Sequence, residues 1–185
     1  GSSRISGAEI DFVARPASSF SLRGSVGLLH TKFKGFLTNE LIGGVLRTLD
    51  YSAVDQLFAP KMTVSLNADY EIPMGDNSLR LTTGFRYLAP YDQFIGRDVA
   101  IPIPATGTIV VPYNDRRVRT DRQYLIDASI RYNFAVAGSK AYVAAYGRNL
   151  LDDRGMSMSF PVATLWTFGA GREPRTYGVQ FGVEF

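Results

Sequence analysis

Residues 177–185 read YGVQFGVEF, a stretch in which apolar side chains alternate strictly with small or polar ones. Tyrosine, valine and phenylalanine occupy the odd-numbered positions, and glycine, glutamine and glutamate occupy the even-numbered ones. Because successive side chains of a β-strand point to opposite faces, this pattern predicts a strand with one apolar face and one small or polar face.

The same alternation recurs upstream, where apolar rows of period two occupy residues 8–14, 20–28, 62–72, 79–87 and 124–134. In residues 140–149 both alternate rows are apolar, so either Tyr142 and Tyr146 or Ala141 and Val143 continue the apolar face. These seven predicted strands are about nine to thirteen residues long, whereas strands of soluble domains are usually roughly five or six. A strand of about eleven residues, tilted by about 45°, spans roughly 25 Å, which is the height of the apolar band of an outer-membrane barrel.

The links between the predicted strands are alternately short and long. The short links are residues 16–19, 73–77 and 135–139, and the long links are residues 34–60, 91–119 and 150–173. Outer-membrane barrels place short turns on the periplasmic side and long loops outside, so the last strand is expected to end with Phe185 at the periplasmic rim. We therefore predict an all-β fold, an antiparallel up-and-down transmembrane β-barrel segment of about seven strands that forms the last part of a larger barrel.

Composition excludes several classes of function. The 185 residues carry a net charge of +3 without a basic block, contain no cysteine and contain one histidine, His30. This argues against nucleic-acid binding, thiol chemistry and histidine-based metal sites. No apolar run reaches the roughly 18 residues that a membrane helix needs. Because no nucleophile elbow, phosphate loop or metal-spacing motif occurs, we expect no enzymatic activity, no cofactor and no metal.

Alternation alone also describes a soluble antiparallel sandwich or a lipocalin-like barrel, whose apolar face points at an internal core. The strand lengths and the regular short and long links favour the membrane interpretation. Aromatic residues near the predicted strand ends, such as Phe20, Tyr70, Tyr132 and Tyr177, add support because interfacial girdles lie there.

Four segments resemble TonB-dependent outer-membrane receptors. Residues 174–185, PRTYGVQFGVEF, resemble the closing strand of that family, which typically reads Pro-Arg-x-Tyr, then alternation, then a terminal Phe. Residues 147–154, GRNLLDDR, are similar to the family's Asn-Leu-Phe-Asp segment, with Leu151 in place of the usual Phe. Weaker likenesses lie in residues 6–11 and 59–70, so the resemblance extends over nearly the whole chain.

The resemblance implies energised import of a scarce nutrient across the outer membrane of a Gram-negative bacterium. Typical ligands are ferric siderophores, haem, cobalamin or carbohydrates. The barrel of this family has roughly twenty-two strands and is preceded by a plug domain and a TonB box, neither of which is in residues 1–185. We therefore expect this chain to be the C-terminal portion of a longer protein. Its expected partners are the rest of the barrel, the plug, the TonB complex, outer-membrane lipids and the barrel-assembly machinery, which would read Phe185 as its signal.

The physics of an open sheet leads to the same expectation, because each unpaired edge N–H or C=O in hydrocarbon costs several kcal/mol. Two alternatives remain. One is a self-contained small barrel with an adhesin or structural role, which needs an eighth strand within residues 34–60 or 91–119. The other is a soluble β-barrel binding module.

Two groups of arginines are candidates for ligand contact. Arg116, Arg117, Arg119 and Arg122 would form an anion-binding rim for an acidic ligand or for lipopolysaccharide phosphates, since guanidinium pairs bidentately with carboxylate and phosphate. The alternative is a solvated loop base in which these arginines pair with Asp115 and Asp121.

The second group is predicted to lie on the polar face of the strands and consists of Arg23, Arg80, Arg86 and Arg131. These residues would face the plug or the transport path. The alternative is mutual pairing with Asp69, Glu71 and Asp127. Asp152 and Asp153 suggest turn chemistry, because two adjacent carboxylates do not supply the oxygens that Ca²⁺ requires.

Overall fold

The computed structural model of the protein describes residues 1–42, 44–52, 54–95, 99–103, 107–111, 119–136, 138–162 and 166–184. Within these ranges the regular structure consists of β-strands, which confirms the predicted all-β class. The strands are β1 (Ser2–Ala17), β2 (Phe20–Lys34), β3 (Leu37–Ile42), β4 (Val45–Asp50), β5 (Met62–Met74), β6 (Asn77–Leu88), β7 (Val99–Ile103), β8 (Gly107–Val111), β9 (Gln123–Val136), β10 (Ser139–Arg148), β11 (Met156–Val162), β12 (Trp166–Gly171) and β13 (Thr176–Glu184).

Seven long strands form one antiparallel sheet in the order β1-β2-β5-β6-β9-β10-β13. Each strand pairs with the next long strand along the chain, so the predicted up-and-down arrangement of seven strands is confirmed. The strands contain between 9 and 16 residues, which is longer at the upper end than the sequence predicts. Turns join them at one end of the sheet, and Gly75 at φ 66° provides the left-handed conformation that the turn after β5 requires.

Each long link contains a two-stranded hairpin that the sequence does not predict. These hairpins are β3-β4, β7-β8 and β11-β12, and each forms a separate small sheet. Their strands have 5 to 7 residues and include Pro102 and Pro161, which lack the N–H that a central strand needs. In the described ranges none of them joins the seven-stranded sheet, and the eighth strand of the small-barrel alternative is therefore not found there.

The pairing register places the predicted apolar rows on one face of the sheet. Leu66 pairs with Phe85, Phe85 with Ile126, and Ile130 pairs with both Leu81 and Ala145. Directly opposed residues of antiparallel strands point to the same side, so these rows form one continuous surface, hereafter the apolar face. The residues between them form the opposite surface, hereafter the polar face.

The register also resolves the ambiguous segment 140–149. Val143 pairs with Tyr132 and Phe181, which lie on the apolar face. Tyr142 and Tyr146 therefore lie on the polar face, opposite Gly182 and Gly178.

The apolar face is uncovered in the described part of the chain. Ile10 is 65% exposed, Ile130 46% and Phe181 77%, although a soluble sheet would bury such residues. The buried hydrophobic residues are Tyr51, Val54 and Ala89 near the long links and Ala141 and Ala144 in β10. The described residues thus build a single layer without a hydrophobic core between two layers. No helix among them has the length and apolar character needed to cross a membrane.

The outer edges of the sheet are β1 and β13. The described strands do not pair these edges with each other, so the sheet is open. Every residue of β1 is exposed, which leaves its 16 residues as a long edge for further strand pairing.

Glycines on β13 make room for tyrosine rings of β10. A Cβ atom built at Gly182 would overlap the ring of Tyr142, and one at Gly178 would overlap the ring of Tyr146. The rings therefore lie flat against the neighbouring strand, where only glycine permits such close approach.

We expect Gly182→Ala to lower the free energy of unfolding by about 1–3 kcal/mol, because the Tyr142 ring must move out of its place. The measurement is urea unfolding of the purified protein. Gly171→Ala in β12 is the control, since a Cβ there meets no atom within 4 Å. Equal losses in the two variants would contradict the close packing of Tyr142 on Gly182.

Candidate functional site

The four arginines predicted to form an anion-binding rim are only partly described. Arg116 and Arg117 lie outside the described residues, as does Phe185, the predicted assembly signal. The backbones of Arg119 and Asp92 form an isolated antiparallel β-bridge. Their side chains form an ion pair, in which Nη1 of Arg119 lies 2.9 Å from Oδ1 of the almost fully buried Asp92 carboxylate. Arg122 is exposed. Arg119 thus anchors the segment that leads into β9, and the described residues do not bring it together with Arg122 in a common anion site.

A buried hydrogen-bonded cluster lies where β10 ends and β13 begins. Asn149, at φ 48°, accepts the N–H of Asp153 at 3.0 Å and donates to the carbonyl of Glu173 at 2.9 Å. Arg172 is almost fully buried, contacts Oδ1 of Asp153 through Nη1 and donates through Nη2 to the carbonyl of Asp121 at 2.6 Å. We call Asn149, Asp153 and Arg172 the loop-base cluster. It fastens the last long link to the start of β9.

The carboxylate of Asp153 is charged and strongly bound in this cluster. Burial alone would raise its pKa, but the N–H groups of Tyr124 and Gly155 and the guanidinium of Arg172 outweigh burial. The net pKa of Asp153 therefore lies below its ordinary value.

This lowered pKa predicts how the loop-base cluster responds to acid. A depressed folded-state pKa contributes stability above the unfolded-state pKa, and the contribution is lost as the pH falls through the folded-state value. We expect cleavage of residues 149–155 by pepsin to rise only below about pH 4, the ordinary range of a carboxyl group. The comparison is Asp153→Asn, treated with pepsin at the same pH values so that the pH dependence of the protease cancels in the ratio of the two cleavage rates. The wild type should be cleaved much more slowly than the variant near pH 5, and the two rates should converge below about pH 4. A ratio that stays constant between about pH 5 and 2 would contradict the role of the charge.

Four arginines share the polar face as the alternation predicts. Arg23, Arg80, Arg86 and Arg131 lie there by register. Arg23 pairs with Asp69 at 3.1 Å, and the second carboxylate oxygen of Asp69 accepts the hydroxyl of Thr82 at 3.1 Å. Among the described residues the other three arginines make no ion pair. The alternative of mutual pairing along the strands thus describes Arg23 alone.

Arg131 is held in place without a carboxylate. Its Nε donates to Oδ1 of Asn133 at 2.7 Å, and Nδ2 of Asn133 donates to the hydroxyl of Ser78 at 3.0 Å. The guanidinium carbon lies 3.6 Å from the centre of the Tyr142 ring. These contacts fix the guanidinium plane and leave both terminal nitrogens free of protein acceptors in the described part of the chain.

The centre of the polar face is concave. A cleft of about 470 Å³, hereafter the polar cleft, is lined by Arg80, Arg131 and Arg148, with Thr82 and Ser129 between them. Thr82 and Ser129 are register partners with small side chains, and they leave space between the guanidinium groups. The arrangement has the chemistry to bind an anion by several charge-assisted hydrogen bonds.

Three residues of the polar cleft and the loop-base cluster are not predicted from the sequence, namely Arg148, Asn149 and Arg172. Arg148 lies in the segment whose two rows are both apolar, so its face is not predicted from β10 alone. The glycines at 178 and 182 are the signal that could have placed it, since glycines on an adjacent strand accommodate flat tyrosine rings. Asn149 and Arg172 bond to residues far away in sequence, which no local pattern predicts.

Within the described ranges, no group of three or more histidine, cysteine, aspartate or glutamate side chains is arranged to hold a metal ion. His30 lies in β2 opposite Ser6.

Comparisons with models of protein families, with curated protein sequences and with solved structures find no match.

Proposed function

We propose that this chain forms seven consecutive strands in the wall of an outer-membrane β-barrel, and that the barrel is an active transporter of the TonB-dependent receptor class. One observation carries the proposal: seven long antiparallel strands present a continuous apolar face on which nothing packs in the described ranges. In water, apolar patches of more than a few hundred Å² mark an interaction surface. Lipid chains are the partner that matches a surface as wide as seven strands.

The composition of the polar face supports the proposal that this face looks toward an aqueous interior. Arginines, aspartates and hydroxyl side chains occupy it, and several of the arginines lie in a cleft rather than in ion pairs. Transmembrane barrels alternate apolar side chains toward lipid with polar side chains toward the interior.

Aromatic residues near both ends of β9 support a membrane that surrounds the middle of that strand. Tyr132 and Phe134 stack near the turn end of β9, with ring centres 5.6 Å apart, and Tyr87 and Tyr124 pack at the opposite end, 5.1 Å apart. Tyr124 and Tyr132 are separated by about 27 Å along β9, or about 20 Å along the membrane normal at a tilt near 40°. This spacing is comparable to the roughly 25 Å apolar band of such barrels, which aromatic girdles flank.

The open edges support a larger barrel. Strands β1 and β13 need partners, because unpaired backbone groups in hydrocarbon each cost several kcal/mol. Further strands of the same protein would provide them, and a plug domain would fill the interior. The hypothesis of a soluble module is less favoured, since it would leave the apolar face in water.

The assignment to an importer of scarce nutrients rests on the resemblance of residues 174–185 and 147–154 to TonB-dependent receptors. In the structure, Pro174 and Arg175 precede β13, and Asn149 lies in the loop-base cluster that holds the start of that strand. The two resembling segments are thus neighbours at the long-link end of the sheet.

The test is uptake by the host bacterium with and without the gene. Cells would be grown under limitation of iron, of cobalamin or of a carbohydrate source, and uptake of labelled ferric siderophore, haem, cobalamin and oligosaccharide would be measured. We expect uptake of one ligand to require both the gene and the proton-motive force. Unchanged uptake of every ligand, or uptake that an uncoupler does not reduce, would contradict active transport.

A further inference from the structure

We propose that the polar cleft is an anion-binding site, and that it receives a carboxylate or phosphate group of a small molecule passing along the interior of the barrel. The inference deepens the proposed function and rests on it. It names the chemical class of the cargo as anionic, which neither the strand pattern nor the resemblance does.

Charge is the first reason. Three guanidinium groups line the cleft, on Arg80, Arg131 and Arg148, together with one carboxylate, Asp127. Asp127 already accepts the backbone N–H of Asn149 at 2.8 Å. The cleft therefore carries an excess of positive charge that the described residues do not neutralise.

The second reason is the direct opposition of two like charges. Arg80 and Arg131 are register partners on neighbouring strands and point to the same face. Like charges in directly opposed positions destabilise a sheet unless a counter-charge lies between them. Glu71 pairs with Arg80 in the register of β5 and β6, yet the two side chains form no ion pair. A bound anion would bridge the two guanidinium groups.

The third reason is preorganisation. Stacking on Tyr142 and the bond to Asn133 fix Arg131 before any ligand arrives. A guanidinium with a fixed plane loses little conformational freedom when it binds a carboxylate or phosphate. Arg80 is exposed and forms no hydrogen bond in the described part of the chain, so its donors are available to the same ligand.

Size is compatible with a small molecule. Arg131 pairs with Ala144 of β10, and Arg148 lies about four residues further along that strand. The two arginines are therefore separated by roughly 13 Å along the strand direction. Thr82 and Ser129 lie between these positions and contribute only small side chains. A ligand with two anionic groups would reach both ends of the cleft, whereas a single phosphate would contact one end.

The experiment is arginine footprinting of the purified full-length gene product in detergent micelles at low salt. Phenylglyoxal modification of each arginine would be quantified by mass spectrometry with no addition, with inorganic phosphate, with citrate, and with a neutral disaccharide. Arg86 is the matched control, because it lies on the same strand and the same face as Arg80 but does not line the cleft. We expect phosphate and citrate to protect Arg80 and Arg131 but not Arg86, and the disaccharide to protect none of them.

A paired measurement uses calorimetric titration of citrate. The double variant Arg80→Gln/Arg131→Gln should weaken citrate binding by about tenfold or more, while Arg86→Gln should leave it unchanged. Equal reactivity of the three arginines with and without anions would overturn the proposal. So would strong protection of Arg80 and Arg131 before any anion is added, because an acidic segment of the protein itself would then occupy the cleft.

Failure of this site and failure of the proposed function can be told apart. If anions do not bind but the gene supports energised uptake of a neutral ligand, the transporter stands and the cleft does not select anions. If anions bind as expected but the gene supports no uptake, the cleft binds anions and the transport function is wrong.

Discussion

Ile130→Arg is expected to lower the free energy of unfolding in lipid vesicles by about 2–4 kcal/mol, if Ile130 lies near the middle of the membrane. Ile130 lies in the middle of β9 on the apolar face and is 46% exposed. An arginine there would place its charge among lipid chains, where no described residue is available to pair with it. The measurement is urea unfolding of the full-length gene product in vesicles, with the heat-modifiable gel shift expected of the proposed barrel as the readout.

Ser129→Arg is the matched control for this substitution. Ser129 is the preceding residue, lies on the polar face and lines the polar cleft. It receives the same side chain in the same strand, but in an aqueous interior, so we expect a much smaller change. Equal losses for Ile130→Arg and Ser129→Arg would contradict the assignment of the two faces.

Arg172→Met is expected to destabilise the base of the last long link by about 3 kcal/mol, the cost typical of breaking a buried ion pair. The guanidinium is almost fully buried against Asp153, and its removal leaves that charged carboxylate with two backbone N–H donors but no counter-charge. The carbonyl of Asp121 also loses its donor. Hydrogen exchange of the N–H groups of Tyr124 and Gly155, which donate to Asp153, would report the loss as faster exchange.

Arg154→Met serves as the control for the loop-base cluster. Arg154 also pairs with a neighbouring aspartate, Asp152, at 2.9 Å, but its side chain is largely in solvent. Exposed ion pairs contribute little, so exchange of the same N–H groups should not change measurably. An effect as large as that of Arg172→Met would show that burial of the pair is not what stabilises this region.

The long strands are predictable from sequence because their period of two persists over many residues. Leu66, Phe85 and Ile126 all fall on the apolar face that the alternation assigns to them. Turns after β1, β5 and β9 are likewise marked by small and turn-forming residues. These features depend on local chemistry, which a single sequence contains.

The hairpins and the candidate site depend on contacts that local chemistry does not reveal. Strands β7 and β11 are short and contain proline, so they do not resemble the long strands. Arg172 bonds to the carbonyl of Asp121, 51 residues away. The polar cleft forms only once the register opposes Arg80 and Arg131 and turns Tyr142 toward Gly182.

The most direct test of the membrane account is spin-label accessibility along β9. The 185 residues contain no cysteine, so single cysteines introduced at positions 127–132 can be labelled individually once any cysteine elsewhere in the gene product has been replaced. In vesicles, we expect collisions with oxygen, which partitions into lipid, to be frequent at positions 128, 130 and 132. Collisions with a water-soluble nickel complex should be frequent at positions 127, 129 and 131. If positions 128, 130 and 132 were inaccessible to both reagents, they would lie in a dry protein core. That result would contradict a lipid-facing sheet.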